Sequence, residues 1–275
     1  MAAKICLVTG ASSGIGHATA LELLRGGHVV YGGARRVGQM EAIREAGGHA
    51  LPMDVTKEED LQRVVRTVLD AHERIDVLVN NAGAVVHGAV EDTPMVMARD
   101  EFEVNVFGPA RLTQLVLPHM RARGSGTIVN VSSIGGEIAL PLGAWYYASK
   151  HALEAFSDTL RMEVGQFGID VVVVQPGIIK TDFEAGTARQ LREISGAGAY
   201  REMAEAMARA AEAPVGHQND QATDPGVVAT TIREAVESDR PETRYVVGWQ
   251  AEALLNLNRS LSDREFDATV TGRLG

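Results

Sequence analysis

The strongest constraint on the fold lies near the start of the chain, where an apolar run is followed by a glycine-rich turn and a helical pattern. These segments are residues 4–8, 9–16 and 18–24, and their order predicts a strand, a tight turn and a helix. Glycine lets the backbone approach a pyrophosphate, and N–H groups at a helix start can bind that anion. The glycines are spaced GxxxGxG, whereas the common dinucleotide fingerprint is GxGxxG. The segment is therefore either a dinucleotide site or a plain tight turn.

Strand-like and helix-like segments alternate along the rest of the chain. The later predicted strands are residues 28–33, 50–51, 76–80, 126–131, 169–174 and 245–247. The later predicted helices are residues 40–46, 57–71, 94–120, 146–166 and 225–236, with irregularities expected at Gly108 and Pro109. Residues 169–174 are apolar on both faces, which is typical of a central parallel strand. The alternation predicts an α/β fold: a Rossmann-type doubly wound parallel sheet in three α/β/α layers, with ligands at the carboxyl ends of the strands.

Residues 186–214 interrupt this alternation. They are rich in Ala, Arg and Glu and place Met203 and Met207 at helical spacing, so we expect a helical insertion after the sixth strand. The insertion is either a lid over a substrate or a solvated surface helix. Asp224 and Pro225 are residues typical of a helix start. Residues 249–275 show no pattern that indicates chemistry.

Composition and charge limit the class of protein. A chain of 275 residues with 45% hydrophobic content and no low-complexity linker predicts a single domain over residues 1–275. A net charge of −10 argues against nucleic acid or an anionic membrane as the main partner. The single cysteine, Cys6, excludes an intramolecular disulfide and is expected to be a buried, inert thiol. The early first strand leaves no room for a cleavable signal peptide, and the apolar runs are too short to span a membrane. We expect a cytoplasmic protein.

Tyr146 and Lys150 are the strongest candidates for chemistry. They are four residues apart in a predicted helix, so their side chains lie on one face and can point into one site. A tyrosine has an ordinary pKa of about 10, and a neighbouring ammonium group is expected to lower that pKa and make the phenol a usable general acid and base. The alternative is a half-buried tyrosine beside a solvated lysine. The eight histidines show no metal-ligand spacing, so no metal is predicted.

Five motifs follow one another along the chain. They are residues 9–16, Asp54, residues 80–83, Ser133 with Tyr146 and Lys150, and Pro176-Gly177 followed by Thr181. With these motifs the chain resembles the short-chain dehydrogenase/reductase family, in its single-domain branch. The resemblance runs from Lys4 to about Thr181 and is looser beyond. It implies an oxidoreductase that transfers hydride to or from a nicotinamide cofactor.

The resemblance assigns catalytic roles. Tyr146, and not its neighbour Tyr147, would give a proton to a carbonyl or take one from an alcohol. Lys150 would lower the pKa of the phenol and hold the ribose hydroxyls of the cofactor. Ser133, and less so Ser132, would hydrogen-bond the substrate oxygen where negative charge develops. Asn105 would connect Lys150 to a proton relay through its backbone and a water, although it is also an ordinary helix asparagine.

The resemblance also assigns cofactor contacts along the chain. The diphosphate would lie against Gly10, Ser12, Ser13, Gly14, Ile15 and Gly16. Asp54 and Val55 would contact the adenine, and Asn81, Ala82 and Gly83 would flank its ribose, although an Asn-Gly segment also suits a strand-end turn. At the nicotinamide end the expected contacts are Tyr146, Lys150, Pro176, Gly177, Ile179 and Thr181.

The junction after the second strand bears on the choice of coenzyme. An acidic residue there binds the ribose 2′-hydroxyl of NAD, whereas an arginine accommodates the 2′-phosphate of NADP. This chain has Arg35 and Arg36 there and no carboxylate, and a guanidinium can bind a phosphate bidentately. NADP(H) is therefore favoured, with NAD(H) possible, since Ser13 stands where some NADP enzymes of the family have a second basic residue.

Resemblance to the hydroxysteroid and retinol dehydrogenase branch implies a lipophilic alcohol or ketone as substrate. Candidate pocket walls, each also a candidate core residue, are Val85, Leu142, Phe183, Met203 and Met207. The leading hypothesis is an NADPH-dependent carbonyl reductase or its reverse. The alternatives are an NAD-dependent alcohol dehydrogenase and a nucleotide-sensing module without turnover. The family also implies a homodimer or homotetramer formed through helices at residues 101–120 and 146–166.

Overall fold

Within the residues that the structure describes, seven strands form one parallel sheet. The structure, a computed structural model, describes residues 2–181, 186–212 and 222–272. The strands are β1 (Ile5–Thr9), β2 (Val29–Ala34), β3 (His49–Pro52), β4 (Val77–Asn80), β5 (Gly126–Val131), β6 (Ile169–Pro176) and β7 (Arg244–Val247). Their order is β3-β2-β1-β4-β5-β6-β7, and each neighbouring pair is parallel. The chain reverses its direction of travel between β1 and β4, so a ligand crevice is expected there.

Helices cover both faces of this sheet. They are α1 (Gly14–Arg25), α2 (Glu41–Glu45), α3 (Glu58–His72), α4 (Met95–Phe102), α5 (Gly108–Arg123), α6 (Ala144–Val164), α7 (Thr187–Ser195), α8 (Arg201–Glu212), α9 (Pro225–Glu237), α10 (Ala251–Ser260) and α11 (Asp263–Gly272). Short 3₁₀ turns follow β2, β5 and α6. The predicted α/β fold with a doubly wound parallel sheet is confirmed.

The strands bury both faces because alternate side chains point to opposite sides of the sheet. In β1, Cys6 and Val8 pack into the core under α1 and α9, whereas Ile5 and Leu7 pack into the core under α3, α5 and α6. Burial raises the pKa of the Cys6 thiol, in agreement with the expected inert cysteine.

The region predicted as one helix from residue 94 to residue 120 is broken in the structure. A wider, π-type turn over Glu103–Phe107 separates α4 from α5. The irregularity comes just before the predicted Gly108 and Pro109, which begin α5. A Cβ atom on Gly108 would lie 2.8 Å from the carbonyl oxygen of Val55, so glycine allows α5 to approach the segment after β3.

The insertion forms two helices, α7 and α8, over its described part. They share a small apolar cluster with Ala89 and Leu142, and they are tied to the segment after β4 by the hydrogen bonds His87 N to Gln190 Oε1 and Ala89 N to Ser195 Oγ, both 2.9 Å. Residues 213–214 of the predicted insertion lie outside the described residues.

None of the helices in the described ranges is both long enough and apolar enough to cross a membrane.

Candidate active site

A cleft of about 650 Å³ opens at the carboxyl ends of the central strands. Nearly all the residues that the sequence assigned to the site line it. These are Gly10, Ser12, Ser13, Gly14, Ile15, Arg35, Arg36, Asp54, Val55, Asn81, Ala82, Gly83, Ser133, Tyr146, Lys150, Pro176, Gly177, Ile179 and Thr181. Gly16 and Asn105 are not among them.

The glycine turn has the shape of a cradle. Gly10 and Gly14 have φ angles of 67° and 55°, a region that side chains rarely adopt. A Cβ atom on Gly10 would also lie 2.8 Å from Nδ2 of Asn81. Ser13 is the N-cap of α1, yet within the described residues no side-chain oxygen caps this helix. The amide groups of its first turn are therefore available to an anion.

Gly16, which the sequence placed on the diphosphate, does not line the cleft. It is buried in α1, where a Cβ atom would overlap Asn81 and the carbonyl oxygen of Gly10. Its position lets the helix pack closely on the turn.

Thr9, which the sequence did not single out, joins the glycine turn to the segment after β4. Its Oγ1 accepts hydrogen bonds from the amides of Asn81 and Ala82, both 2.9 Å. Its carbonyl oxygen accepts from Nδ2 of Asn81 at 2.9 Å. The hydroxyl at the end of β1, next to the glycine turn, is the signal that could have identified it.

Two arginines lie at the end of β2. Arg35 and Arg36 are exposed beside the cleft. Nη2 of Arg36 donates to Oγ of Ser13 at 3.0 Å, which bridges β2 and the glycine turn. The nearby Asp54 carboxylate is held by the amide and hydroxyl of Thr56 at 3.0 and 2.8 Å.

Tyr146 and Lys150 meet Ser133 at the other end of the cleft. Both come from the first turns of α6, and Ser133 follows β5. Lys150 is only 6% exposed; its Nζ donates to the carbonyl oxygen of Val131 at 3.0 Å and lies 5.9 Å from the centre of the Tyr146 ring. The side chains of Ser133 and Tyr146 are hydrogen-bonded. The structure therefore brings Tyr146 and Lys150 together as their spacing predicted, and places Ser133 beside them as the resemblance implied.

The pKa of Tyr146 departs from the expected direction. This pKa is raised to about 12, mainly by burial and in smaller part by the negative charge of Glu101, while the hydrogen bond with Ser133 acts in the opposite direction. Burial lowers the pKa of Lys150 to about 8, against the opposing effects of Glu101 and Glu154. The sequence predicted a lowered phenol pKa because it showed the nearby charge but not the burial, which penalises the phenolate more.

Asn105 lies in the π-type turn and does not line the cleft. Its Oδ1 accepts from the amide of Ala84 at 2.8 Å, and its Nδ2 donates to the carbonyl oxygen of Ala84 and to Oγ of Ser149, both at 2.9 Å. The side chain therefore fastens α6 to the segment after β4 and has no direct contact with Lys150.

The predicted pocket walls do not line this cleft. Leu142 and Met207 belong to the apolar cluster of α7 and α8, Val85 and Met203 are absent from the lining, and Phe183 lies outside the described residues. The cleft instead takes apolar side chains from Val86, Met97 and Val104.

A family model and several known proteins match this chain. The model of the short chain dehydrogenase family covers residues 4–192, more than two thirds of the sequence. The chain belongs to the short-chain dehydrogenase family. An uncharacterised oxidoreductase, YusZ, from Bacillus subtilis is 42% identical over 65% of this chain and 66% of that protein. The probable short-chain type dehydrogenase/reductase VdlC from Helicobacter pylori is 33% identical over 96% of this chain and 95% of that protein.

Solved structures agree with this assignment. A short-chain dehydrogenase from Streptomyces avermitilis matches with a TM-score of 0.79 and 35% identity over 98% of this chain and 96% of that one. A variant of actinorhodin polyketide ketoreductase with NADPH matches with a TM-score of 0.73 and 32% identity over 85% of this chain and 90% of that one. This short-chain dehydrogenase is therefore an oxidoreductase.

A polar network behind the site of this short-chain dehydrogenase was missed in the sequence. Nε2 of Gln175 donates to Glu137 at 2.8 Å and to Glu154 at 3.0 Å. Arg244 pairs with Glu154 at 3.0 Å, and Arg259 pairs with Glu137 at 2.8 Å. The network connects α6 to the segment that follows Ser133.

The C-terminal helices α10 and α11 pack on the same segment after Ser133. Apolar side chains of α10 and α11, among them Leu255 and Phe266, pack on Ile134 and Ile138. The helices α10 and α11, whose sequence showed no chemical pattern, thus support the loop that begins with Ser133.

Glu101 is the second missed residue of this short-chain dehydrogenase. It lines the cleft, yet it is 1% exposed, and within the described residues its carboxylate oxygens accept no hydrogen bond. It lies one helical turn before Asn105 on the buried side of α4. An acidic residue at a position that the helical period places inside the core was the available signal.

The described residues include no group of three or more His, Cys, Asp or Glu side chains placed to hold a metal ion.

Proposed function

We propose that this short-chain dehydrogenase uses NADP(H) to interconvert a ketone or aldehyde and an alcohol, with Tyr146 as the general acid and base. The observation that carries the proposal is the meeting of Tyr146, Lys150 and Ser133 in one cleft with an uncapped glycine turn. A proton donor, a cation and a hydroxyl in one site suit addition of hydride to a carbonyl, because the oxygen that gains charge must also gain a proton.

The described residues fit a dinucleotide. A side chain at Gly10 would fill the space against Asn81, and the first turn of α1 offers amide groups to a diphosphate. Asp54, Val55, Asn81, Ala82 and Gly83 would hold the adenosine half, and Pro176, Gly177, Ile179 and Thr181 the nicotinamide half. When bound, the nicotinamide supplies or accepts the hydride.

Tyr146 supplies the proton in the reductive direction. With a pKa raised to about 12, the phenol is protonated at neutral pH and is ready to donate. A carbonyl oxygen that accepts a hydrogen bond from Tyr146 and a second from Ser133 would be held between the two hydroxyls. Lys150 would hold the ribose hydroxyls, and its positive charge would stabilise the phenolate that remains after proton transfer.

The two arginines support NADP(H) over NAD(H). Arg36 is already directed at Ser13, so its guanidinium lies between the end of β2 and the glycine turn, where a 2′-phosphate would extend. In the described residues neither Arg35 nor Arg36 is paired with a carboxylate. The polyketide reductase that matches this chain was solved with NADPH, in keeping with this preference.

The lipophilic character of the substrate is the finer part of the proposal. Val86, Met97 and Val104 line the cleft, and α7 and α8 pack beside the segment that carries Val86. This arrangement supports an apolar substrate covered by the insertion as a lid.

The remaining proposals concern the domain organisation, location and oligomeric state of the protein. We expect one domain over residues 1–275, located in the cytoplasm, that acts on a small molecule. A homodimer or homotetramer through α5 and α6 is supported by two exposed apolar side chains, Phe107 beside α5 and Met162 on α6, which are 55% and 71% exposed.

The decisive experiment is a panel of ketones, aldehydes and alcohols, followed by nicotinamide absorbance with each coenzyme. Turnover with NADPH that disappears in the Tyr146→Phe variant supports the proposal. Efficient turnover only with NADH would favour the NAD-dependent alternative. Tight coenzyme binding without turnover of any compound would favour a nucleotide-sensing module.

A further inference from the structure

Glu101 is a buried carboxyl group that the proposed reaction does not yet use. Charged side chains that are this deeply buried are almost always paired or hydrogen-bonded. Glu101 is 1% exposed, and within the described residues both its oxygens lack a hydrogen-bond donor. A buried polar group without a partner at the wall of a cleft points to a role in the site.

The groups that face Glu101 come from three elements. From α6, Lys150 and Tyr146 interact with its charge. From the segment after β4, the amide of Val86 lies near enough to lower the pKa of the carboxyl group, although its geometry falls short of a hydrogen bond. On α4 itself, Asp100, the residue before Glu101, is exposed and also lines the cleft. Glu154 acts on the same lysine from elsewhere on α6.

The charges of Glu101 and Lys150 are coupled without direct contact. The described hydrogen bond of Lys150 Nζ goes to the carbonyl oxygen of Val131, which leaves two of its three protons for other partners. Two polar groups that lie beyond hydrogen-bond distance of each other are commonly bridged by a water molecule. The cleft that both residues line provides room for that water.

The protonation of both groups changes in one pH range. Burial raises the pKa of Glu101 to about 8, while the Val86 amide and Lys150 lower it. Burial lowers the pKa of Lys150 to about 8, while Glu101 raises it. A proton can therefore pass between them at little cost near neutral pH.

We propose that Glu101 is a proton-relay residue of this enzyme, which returns to Lys150 the proton that the reduction consumes. The proposal rests on the proposed function.

In reduction the substrate oxygen takes the proton of Tyr146, and the Tyr146 phenolate then takes a proton from the Lys150 ammonium through the cleft. The neutral Lys150 amine takes the carboxyl proton of Glu101, and the Glu101 carboxylate takes one from water near Asp100. One proton enters from solvent in each turnover, and alcohol oxidation runs the same steps in reverse. Because Glu101 acts through Lys150, it is a positioning residue.

The first test measures the carboxyl group directly, without cofactor. Protein labelled with ¹³C at the glutamate carboxyls should show one signal that titrates several pH units above the rest and that disappears in Glu101→Gln. In Lys150→Met its midpoint should move upward, because the cation that lowers it is gone. If the Glu101 signal titrates with the midpoint of an ordinary glutamate, or if its titration midpoint is the same in Lys150→Met, the proposed coupling between Glu101 and Lys150 is overturned.

The second test is the pH profile of kcat for reduction. Glu101→Gln removes the negative charge that raises the pKa values of Tyr146 and Lys150, so the loss of activity at high pH should begin about one unit lower. Glu103→Gln, the same change at an exposed position two residues away, should leave the profile unmoved. Glu101→Asp keeps a carboxyl group and should restore part of the shift.

The two tests separate this inference from the proposed function. A loss of rate by the same factor at every pH in Glu101→Gln would mean a structural role and would overturn the relay. If no carbonyl compound is reduced by the parent enzyme, the proposed function fails, while the carboxyl titration still decides whether Glu101 and Lys150 are coupled. If Glu101→Gln does not fold, the pH profile of Glu101→Asp and the carboxyl titration of the parent protein still decide whether Glu101 and Lys150 are coupled.

Discussion

Nη2 of Arg36 donates a hydrogen bond of 3.0 Å to the hydroxyl of Ser13, the N-cap residue of α1. This contact joins the end of β2 to the glycine turn. It places a cation beside the amide groups that would bind the diphosphate, where the 2′-phosphate of NADPH would add further negative charge.

Arg36→Gln should therefore weaken NADPH and spare NADH. A hydrogen bond to a charged group contributes about 1.5–3 kcal/mol, so the Kd of NADPH should rise about tenfold or more. Fluorescence titration with each coenzyme measures this. Arg66→Gln, at an exposed arginine on α3, is the matched control; equal weakening of both coenzymes by Arg36→Gln would contradict the phosphate assignment.

Tyr146→Phe should lower kcat by roughly 10²–10⁴-fold, the usual contribution of a general acid, while the coenzyme still binds. Tyr147 is the control, because its ring contacts Tyr146 edge-on with centroids 5.6 Å apart but does not line the cleft. Steady-state rates of Tyr147→Phe should stay near the parent rate. A Tyr146→Phe enzyme with near-normal kcat would refute the proton-donor role.

Glu101→Gln should increase thermal stability at pH 8 and not at pH 5. The pKa of Glu101 rises from an ordinary 4.5 to about 8 on folding. Between these values the folded protein holds a proton that the unfolded chain releases, so this carboxyl costs stability as pH rises. Melting curves should show a gain in Tm of a few degrees at the higher pH. The same curves for Glu103→Gln should overlay the parent at both pH values.

Gly135→Ala should disturb the active site through packing. A Cβ atom there would lie 2.9 Å from Cδ1 of Tyr147 and 3.2 Å from Cε1 of Tyr146, so both rings must move. Overpacking of this kind costs about 1–3 kcal/mol of unfolding free energy, and displacement of Tyr146 should lower kcat. Gly165→Ala, where no atom lies within 4 Å of the added carbon, is the control. Unfolding in urea and steady-state kinetics measure both effects, and a fully active, equally stable Gly135→Ala enzyme would show that the contact yields freely.

The cofactor cleft could be predicted because its residues lie in short contiguous motifs at strand ends, and parallel strands bring those ends to one edge. Gly16 differs from the rest of its motif, because it is buried and does not line the cleft. Two residues beyond Gly14 the helix has turned by about 200°, which directs Gly16 toward the packed interior.

Properties that depend on burial could not be predicted from spacing. The sequence shows Lys150 four residues after Tyr146, but not that both side chains are buried where α4 packs near the start of α6. For the same reason Glu101 passed as an ordinary helix residue. Its depth follows from the packing of α4 on α6, which no local pattern encodes.

Contacts between distant segments were equally hidden. Leu255 and Phe266 meet Ile134 and Ile138 across more than a hundred residues of chain. Nothing in either segment alone indicates the other as its partner.

The contact of Leu255 and Phe266 with Ile134 and Ile138 means that the shape of the proposed site depends on residues outside the family motifs. The match to the family model ends at residue 192, whereas the helices that pack under the loop after Ser133 lie beyond residue 250. Substitutions in α10 or α11 would move the Ser133 hydroxyl and so change which carbonyl compounds the proposed site accepts, while every signature motif stays intact.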